Sequence, residues 1–207
     1  MTSDLFASSE ECSDTASRIE MPDGEVLLYA SLFSPREANR LFAVLQRDIQ
    51  WRQERITLFG QVHKLPRLTA WYGEPDTTYS YSGITVDSMP WIPPLLMIKE
   101  RIERVSKARF NSVLLNRYRD GSDSMAWHAD DEPELGRNPI IGSVSLGQSR
   151  TLQMKHKTDK SARRAIALAN GSFLLMQGAV QHHWLHQIAK SRRPMEERIN
   201  LTYRFVF

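Results

Sequence analysis

The segment "MAWHADDE", residues 125–132, places His128, Asp130, Asp131 and Glu132 within five positions of a chain that is otherwise basic. Side chains alternate along a strand, so His128 and Asp130 point to one face, where they can hold one metal ion. A third ligand is needed, and "HHWLHQ" offers His182, His183 and His186; the residues alone do not choose among them. Two histidines and one carboxylate form a facial triad that leaves coordination positions open, the arrangement for a non-haem Fe(II) that binds a cosubstrate and O2 together. The chain has no H-E-x-x-H pattern of a zinc protease. Its single cysteine, Cys12, excludes a disulfide framework and every multi-cysteine zinc site.

The C-terminal "RINLTYRFVF" alternates strictly, with Arg198, Asn200, Thr202 and Arg204 on one face and Ile199, Leu201, Tyr203 and Phe205 on the other. This reads as a half-buried strand. Two arginines six residues apart span roughly 20 Å of strand, and if both lean inward they leave a gap suited to a small dicarboxylate such as 2-oxoglutarate. Arginine grips carboxylates bidentately. Asn116 and Tyr118 in "LLNRYRDG", again two apart, add an amide and a phenol to the same kind of polar lining.

These residues need a rigid frame, and the chain supplies short strand-like segments separated by Gly, Pro, Asn, Asp or charged breaks. They are expected near 55–62, 67–71, 78–82, 112–119, 125–130, 140–146, 150–155, 165–168, 172–176, 182–187 and 197–206. So many short strands after residue 110 suggest a sandwich or jelly roll. Two helices flank them. In "SPREANRLFAVLQRDIQW", Ser34 is the N-cap, Pro35 the first helical residue and Glu37 closes a capping box, with Leu41, Leu45 and Ile49 on one face. The second begins near Pro94 and carries Ile98, Ile102 and Val105 on its buried side.

At 207 residues one domain is expected. Residues 1–25 hold seven acids against the single base Arg18, so the rest of a chain whose net charge is +3 carries +9. A Ser-rich acidic tail with few large apolar residues is expected to be disordered. A body at +9 suits a polyanion-binding protein. Apolar runs such as "VLLYA" are far shorter than the ~20 residues that span a bilayer, so no membrane segment is expected. The chain opens without a secretory leader pattern, and a cytoplasmic protein is the expectation. No sustained heptad appears, which favours a monomer.

With His-x-Asp, a distal His and R-x-N-x-T-x-R, the sequence resembles the AlkB family of Fe(II)- and 2-oxoglutarate-dependent dioxygenases that repair alkylated nucleic acids. The likeness covers about residues 55–207, with "NRYRDGSDSMAWHADDE", "IGSVSLG", "GSFLLM", "HWLHQI" and "RINLTYR" in the family's order. "YSYSG" and "PWIP" are similar to the subgroup of the second and third human homologues. The resemblance implies an α+β, mainly β fold. This is a double-stranded β-helix, or jelly roll, over about 110–207, with flanking helices and an N-terminal nucleotide-recognition lid over about 52–90, all within one domain of residues 26–207. It implies His128, Asp130 and His186 as iron ligands and catalytic residues, with His182 and His183 as neighbours. It places Arg204 and Asn116 at the C1 end of 2-oxoglutarate, Arg198 and Tyr118 at its C5 carboxylate, and Asn200 on the same cosubstrate-binding strand.

The implied reaction consumes Fe(II)-bound O2 and 2-oxoglutarate to oxidise an N-methyl group, releasing formaldehyde, succinate and CO2. Its substrates would be 1-methyladenine and 3-methylcytosine in DNA, with RNA as a further candidate. Asp131 and Glu132 would face a cationic methylated base. A base must leave its stack to reach buried iron. Tyr79 and Tyr81, with Ser82 following, match the family's base-stacking region, and Phe59 beside Gly60 would tip a hairpin able to wedge into a duplex. Arg67 is expected to meet nucleic acid near the pocket, with Lys155, Lys157 and Arg163 as phosphate contacts. Two rival readings are a related dioxygenase acting on tRNA or protein and a catalytically silent nucleic-acid-binding jelly roll.

Overall fold

The computed structural model describes residues 12–58, 60–75, 78–81 and 84–207, with backbone alone at 57–58, 78–81 and 84–87. In chain order the N-terminal elements are β1 (Ser17–Ile19), β2 (Glu25–Tyr29), α1 (Pro35–Asp48), β3 (Arg55–Leu58), β4 (Gln61–Lys64) and β5 (Leu68–Gly73). Then come β6 (Thr78–Tyr81), β7 (Ile84–Asp87), β8 (Met89–Pro90), α2 (Pro93–Ser106), β9 (Ser112–Tyr118) and β10 (Met125–His128). A 3-10 turn at Pro133–Leu135 leads to β11 (Ile141–Gly147), β12 (Arg150–His156), β13 (Arg163–Leu168) and β14 (Ser172–Gln177). The chain ends with α3 (Val180–His183), β15 (Trp184–Ile188) and β16 (Arg198–Arg204).

Two sheets face each other in a jelly roll. The major one runs β1-β2-β14-β11-β16-β9-β5-β8 and the minor one β10-β15-β12-β13, while β3-β4 and β6-β7 form separate hairpins. The outer face of the major sheet is apolar, and α1 and α2 cover it. Ser34 Oγ accepts from Glu37 N at 3.3 Å to start α1, whose Ala38, Leu41 and Leu45 are buried. Leu95, Ile98 and Ile102 do the same for α2, and Arg101 pairs with Glu37 at 3.2 Å to tie the helices together. Burying each such leucine or isoleucine contributes roughly 1.5–3 kcal/mol. Ile199, Leu201 and Tyr203 of β16 lie in this core, so the apolar half of the alternating strand is spent on the helices.

Alternation therefore turns the polar half of β16 inward, between the sheets. A second core of Leu114, Leu152, Met154, Leu174 and Trp184 fills the rest of that space. The start of β16 is set by Gly147, opposite Arg198 in the ladder. Its φ is +83°, and a Cβ there would come within 2.5 Å of Glu197 O and 2.7 Å of the Phe42 ring. Gly147→Ala is expected to destabilise the protein by about 2–4 kcal/mol, read by chemical denaturation, because both the backbone region and the space are wrong for a side chain.

Two expectations change here. The stretch expected to be a disordered tail over 1–25 includes strand β1, paired with β2 through Ser17↔Leu28, Arg18↔Leu27 and Ile19↔Val26. Acidic composition is outweighed there by Ile19 and Met21 packing on the inner core and by Trp184 Nε1 donating to Pro22 O at 2.9 Å. Residues 1–11 lie outside those described. Within 52–90, assigned to a lid, β5 is an integral strand of the major sheet, paired with β9 from Leu68↔Arg117 to Gly73↔Ser112. Among the described residues no helix is long and apolar enough to cross a membrane.

Candidate active site

The pairing of β10 with β15 sets His128 directly opposite His186, with ring centroids 4.2 Å apart. Asp130 follows just past the strand end, its backbone N–H donating to Gln181 Oε1 at 2.9 Å. The ligand atoms of His128, Asp130 and His186 all lie within 4.8 Å of one another. His128 Nδ1 is 2.9 Å from Ala126 O, so the proton sits on Nδ1 and Nε2 keeps its lone pair for a metal. Burial and the nearby His128 push the His186 pKa down to about 3. Burial acts to raise the Asp130 carboxyl, but Arg204, His186 and His128 together outweigh it and hold the pKa near about 2. At neutral pH Asp130 is therefore a carboxylate and His186 a neutral imidazole, the protonation states that ligate a divalent ion.

Asp23, His156 and His183 also bring three donor atoms within 4.8 Å. There, however, His156 Nδ1 accepts from Asp159 N at 3.0 Å and Thr158 N at 3.4 Å. Its proton is thus on Nε2, 3.2 Å from Asp23, and a protonated nitrogen cannot ligate. His182 Nε2 accepts from Asn138 N at 3.3 Å and belongs to neither group.

The polar row of β16 faces His128, Asp130 and His186 across one pocket, which Asn116, Tyr118, Asn200 and Thr202 also line. The register explains the grouping: Arg198 is opposite Tyr118, and Asn200 is opposite Asn116. Arg198 is 1 % exposed; its Nη2 donates to Ser145 Oγ at 3.0 Å and its guanidinium lies 5.1 Å from the centre of the Tyr118 ring. Its Nε and Nη1 are buried without an acceptor. Burial lowers the Arg198 pKa, and Tyr118 partly opposes this. A buried guanidinium with open donors is what a carboxylate ligand satisfies. Asn200 Nδ2 donates to Ser143 Oγ at 2.8 Å and Val144 O at 3.0 Å, so it is braced by β11. Arg204 Nη2 donates to Asp130 Oδ1, linking the expected cosubstrate strand to the metal ligands.

Arg67 departs from expectation. It is 3 % exposed and cannot meet nucleic acid at the surface. Lying just before β5, on the inner face, it donates from Nε to Asn116 Oδ1 at 2.7 Å and from Nη1 to Ser124 O at 3.3 Å. Asp131, next in the chain to Asp130, has 48 % side-chain exposure and pairs with Lys157 at 3.2 Å. Lys157 Nζ also donates to Gln181 O at 3.0 Å, so it is held by the protein. Glu132 caps the Pro133–Leu135 turn, Leu135 N donating to its carbonyl at 3.0 Å. Lys155 sits 4.4 Å from the centre of the Trp127 ring, and Arg163 pairs opposite it across β12 and β13. The backbone of Tyr79 and Tyr81 belongs to β6, paired with β7; Phe59 and Ser82 lie outside the described residues. Gln181, fully buried beneath Asp130, carries no sequence signal that singles it out, because a four-residue helix puts it there.

A fold with a two-histidine, one-carboxylate cluster facing a buried arginine defines an Fe(II)-dependent oxygenase site. The chain matches the 2OG-Fe(II) oxygenase superfamily model over residues 25–204. It belongs to that superfamily and, within it, to the AlkB family, as its relatives show. It is 43% identical over 181 residues to the bovine (Bos taurus) alpha-ketoglutarate-dependent dioxygenase alkB homolog 3, covering 83% of this chain and 63% of that one. The human (Homo sapiens) homolog 3 is 41% identical over 191 residues, covering 88% of this chain and 66% of that one. The human DNA oxidative demethylase ALKBH2 is 38% identical over 186 residues, 85% of this chain and 71% of that one. The chain thus spans just under two-thirds of the homolog 3 relatives. Among solved structures, OsALKBH1 superposes with a TM-score of 0.61 at 17% identity, covering 92% of this chain and all (100%) of that one. The family implies Fe(II), 2-oxoglutarate and O2, and the donor sets above fit them.

Proposed function

We propose that the protein oxidatively removes methyl groups from N-alkylated bases of the 1-methyladenine and 3-methylcytosine type in DNA, and in RNA as a second substrate. Supporting this, its relatives include a protein named DNA oxidative demethylase. The observation that carries the reading is one pocket shared by His128, Asp130 and His186 on one sheet and Arg198, Asn200 and Arg204 on the other. When bound, Fe(II) with 2-oxoglutarate and O2 supplies the oxidation that converts N-methyl to a hydroxymethyl group, which leaves as formaldehyde with succinate and CO2 as co-products.

The chain's own residues divide the work. His128, Asp130 and His186 hold the metal. Arg198, beside Tyr118, grips the C5 carboxylate bidentately, while Asn116 and Arg204 serve the C1 end and Asn200 fixes the strand between them. The core around the pocket keeps water from the reacting carbon. Asp131 and Glu132 receive the cationic base, Tyr79, Tyr81 and Ser82 frame it, and Phe59 enters the gap it leaves. Lys155 and Arg163 contact phosphate. We also propose that the protein acts as a monomer in the cytoplasm, which gel filtration with light scattering and cell fractionation would check.

The test offers matched single-stranded DNA, duplex DNA and RNA, each with one 3-methylcytosine. Dealkylation of the DNA strands, coupled to succinate, is expected. Succinate without dealkylation of any strand would reject the nucleic-acid substrate and favour a protein substrate. Because Lys157 competes with a cationic base for Asp131, Lys157→Met is expected to tighten binding of cationic lesions over neutral bases by up to about fivefold. Equal weakening for damaged and undamaged strands would instead make Lys157 a phosphate contact.

A further inference from the structure

An asparagine amide offers a donor at one end and an acceptor at the other, and only one orientation suits an anionic ligand. Asn116 lines the pocket with Arg198, Asn200 and Arg204, and its Oδ1 accepts from Arg67 Nε at 2.7 Å, both residues being buried. A guanidinium has donors only. Arg67 therefore fixes Oδ1 on its own side and leaves Nδ2 as the amide end available to the pocket. A flipped amide would present its oxygen to a carboxylate and repel it.

Arg67 is itself braced. Its Nη1 donates to Ser124 O at 3.3 Å, and Gln53 Nε2 donates to Leu65 O at 2.5 Å and Arg67 O at 3.2 Å. Gln53 Oε1 in turn accepts from Arg119 Nη1 at 3.2 Å, and Arg119 forks onto Asp123 at 2.8 and 2.9 Å. The backbone on either side is tied as well, Ser124 N donating to Pro66 O at 2.8 Å. So much structure around one buried cation that does not reach solvent calls for a purpose inside the protein.

We propose that Arg67 is a positioning residue for the cosubstrate: by locking the Asn116 amide with its NH2 toward the pocket, it sets the affinity for 2-oxoglutarate. This rests on the reading that the pocket takes 2-oxoglutarate. Arg67 acts through Asn116 and touches neither nucleic acid nor the reacting atoms.

The experiment is calorimetric titration of 2-oxoglutarate into the Mn(II)-loaded protein, with KM, kcat and oligonucleotide affinity measured alongside. Arg67→Met is expected to weaken 2-oxoglutarate about tenfold and raise its KM similarly, with kcat at saturation and oligonucleotide affinity within about twofold. In an Asn116→Leu background the same substitution is expected to change 2-oxoglutarate affinity less than about twofold, because the mediating amide is gone. Arg67→Lys keeps one donor, and an intermediate loss of about threefold is expected; this variant decides the matter if Arg67→Met does not fold. Equal weakening by Arg67→Met with and without Asn116, or unchanged 2-oxoglutarate affinity with lost oligonucleotide binding, would overturn the proposal. So would Arg67→Lys at wild-type affinity. Failure of the unmodified protein to bind 2-oxoglutarate would instead overturn the cosubstrate reading beneath it.

Discussion

Asp130→Asn is expected to lower divalent-metal affinity by more than about a hundredfold and to abolish turnover. Losing a partner outside the ligand set already costs about 10–100-fold, and this change removes the only carboxylate of the triad. The same change takes the anionic partner from Arg204, which donates to Asp130 and is almost fully buried. Breaking one side of this buried ion pair is destabilising, so the metal-free protein should also melt earlier. The two effects separate cleanly: metal titration reads the first and thermal unfolding without metal reads the second. Normal metal affinity in a folded variant would remove Asp130 from the ligand set.

Arg198→Lys is expected to raise the KM for 2-oxoglutarate by about a hundredfold while leaving kcat at saturation within a few-fold. Lysine keeps the charge but not the planar array of donors, so it cannot replace the buried Nε and Nη1 of Arg198 that lack an acceptor within the protein. Breaking one side of a buried, hydrogen-bonded charge pair costs about 2–5 kcal/mol. The C5 carboxylate is remote from the reacting carbon, so the loss falls on binding shared by ground and transition states. An unchanged KM would place the cosubstrate elsewhere.

How far the sequence discloses this site depends on whether a signal is local. His128 and Asp130 stand out because two residues of strand put them together, and the alternation in "RINLTYRFVF" separates Arg198, Asn200 and Arg204 from the helix-facing Ile199, Leu201 and Tyr203. The choice of His186 is not local. It follows from the register that sets it opposite His128, and from His182 and His183 leaving the strand in a short helical turn. Arg67 looks like a surface charge in "KLPRLT" because nothing near it announces that β5 will pair with β9 and carry it inward. Gln181 is silent for the same reason, its value coming from Asp130, far away in sequence. The acidic N-terminal stretch misleads in the opposite direction, since a few apolar residues and an open sheet edge are enough to order Ser17–Ile19.

The most direct measurement loads the protein with Fe(II) and 2-oxoglutarate without air, adds an oligonucleotide carrying 1-methyladenine, admits O2 and weighs the product. Loss of one methylene mass, dependent on both Fe(II) and 2-oxoglutarate and absent in His128→Ala, is the predicted result. An oligonucleotide that stays methylated, in a protein shown to be folded and iron-loaded, would contradict dealkylation as its activity.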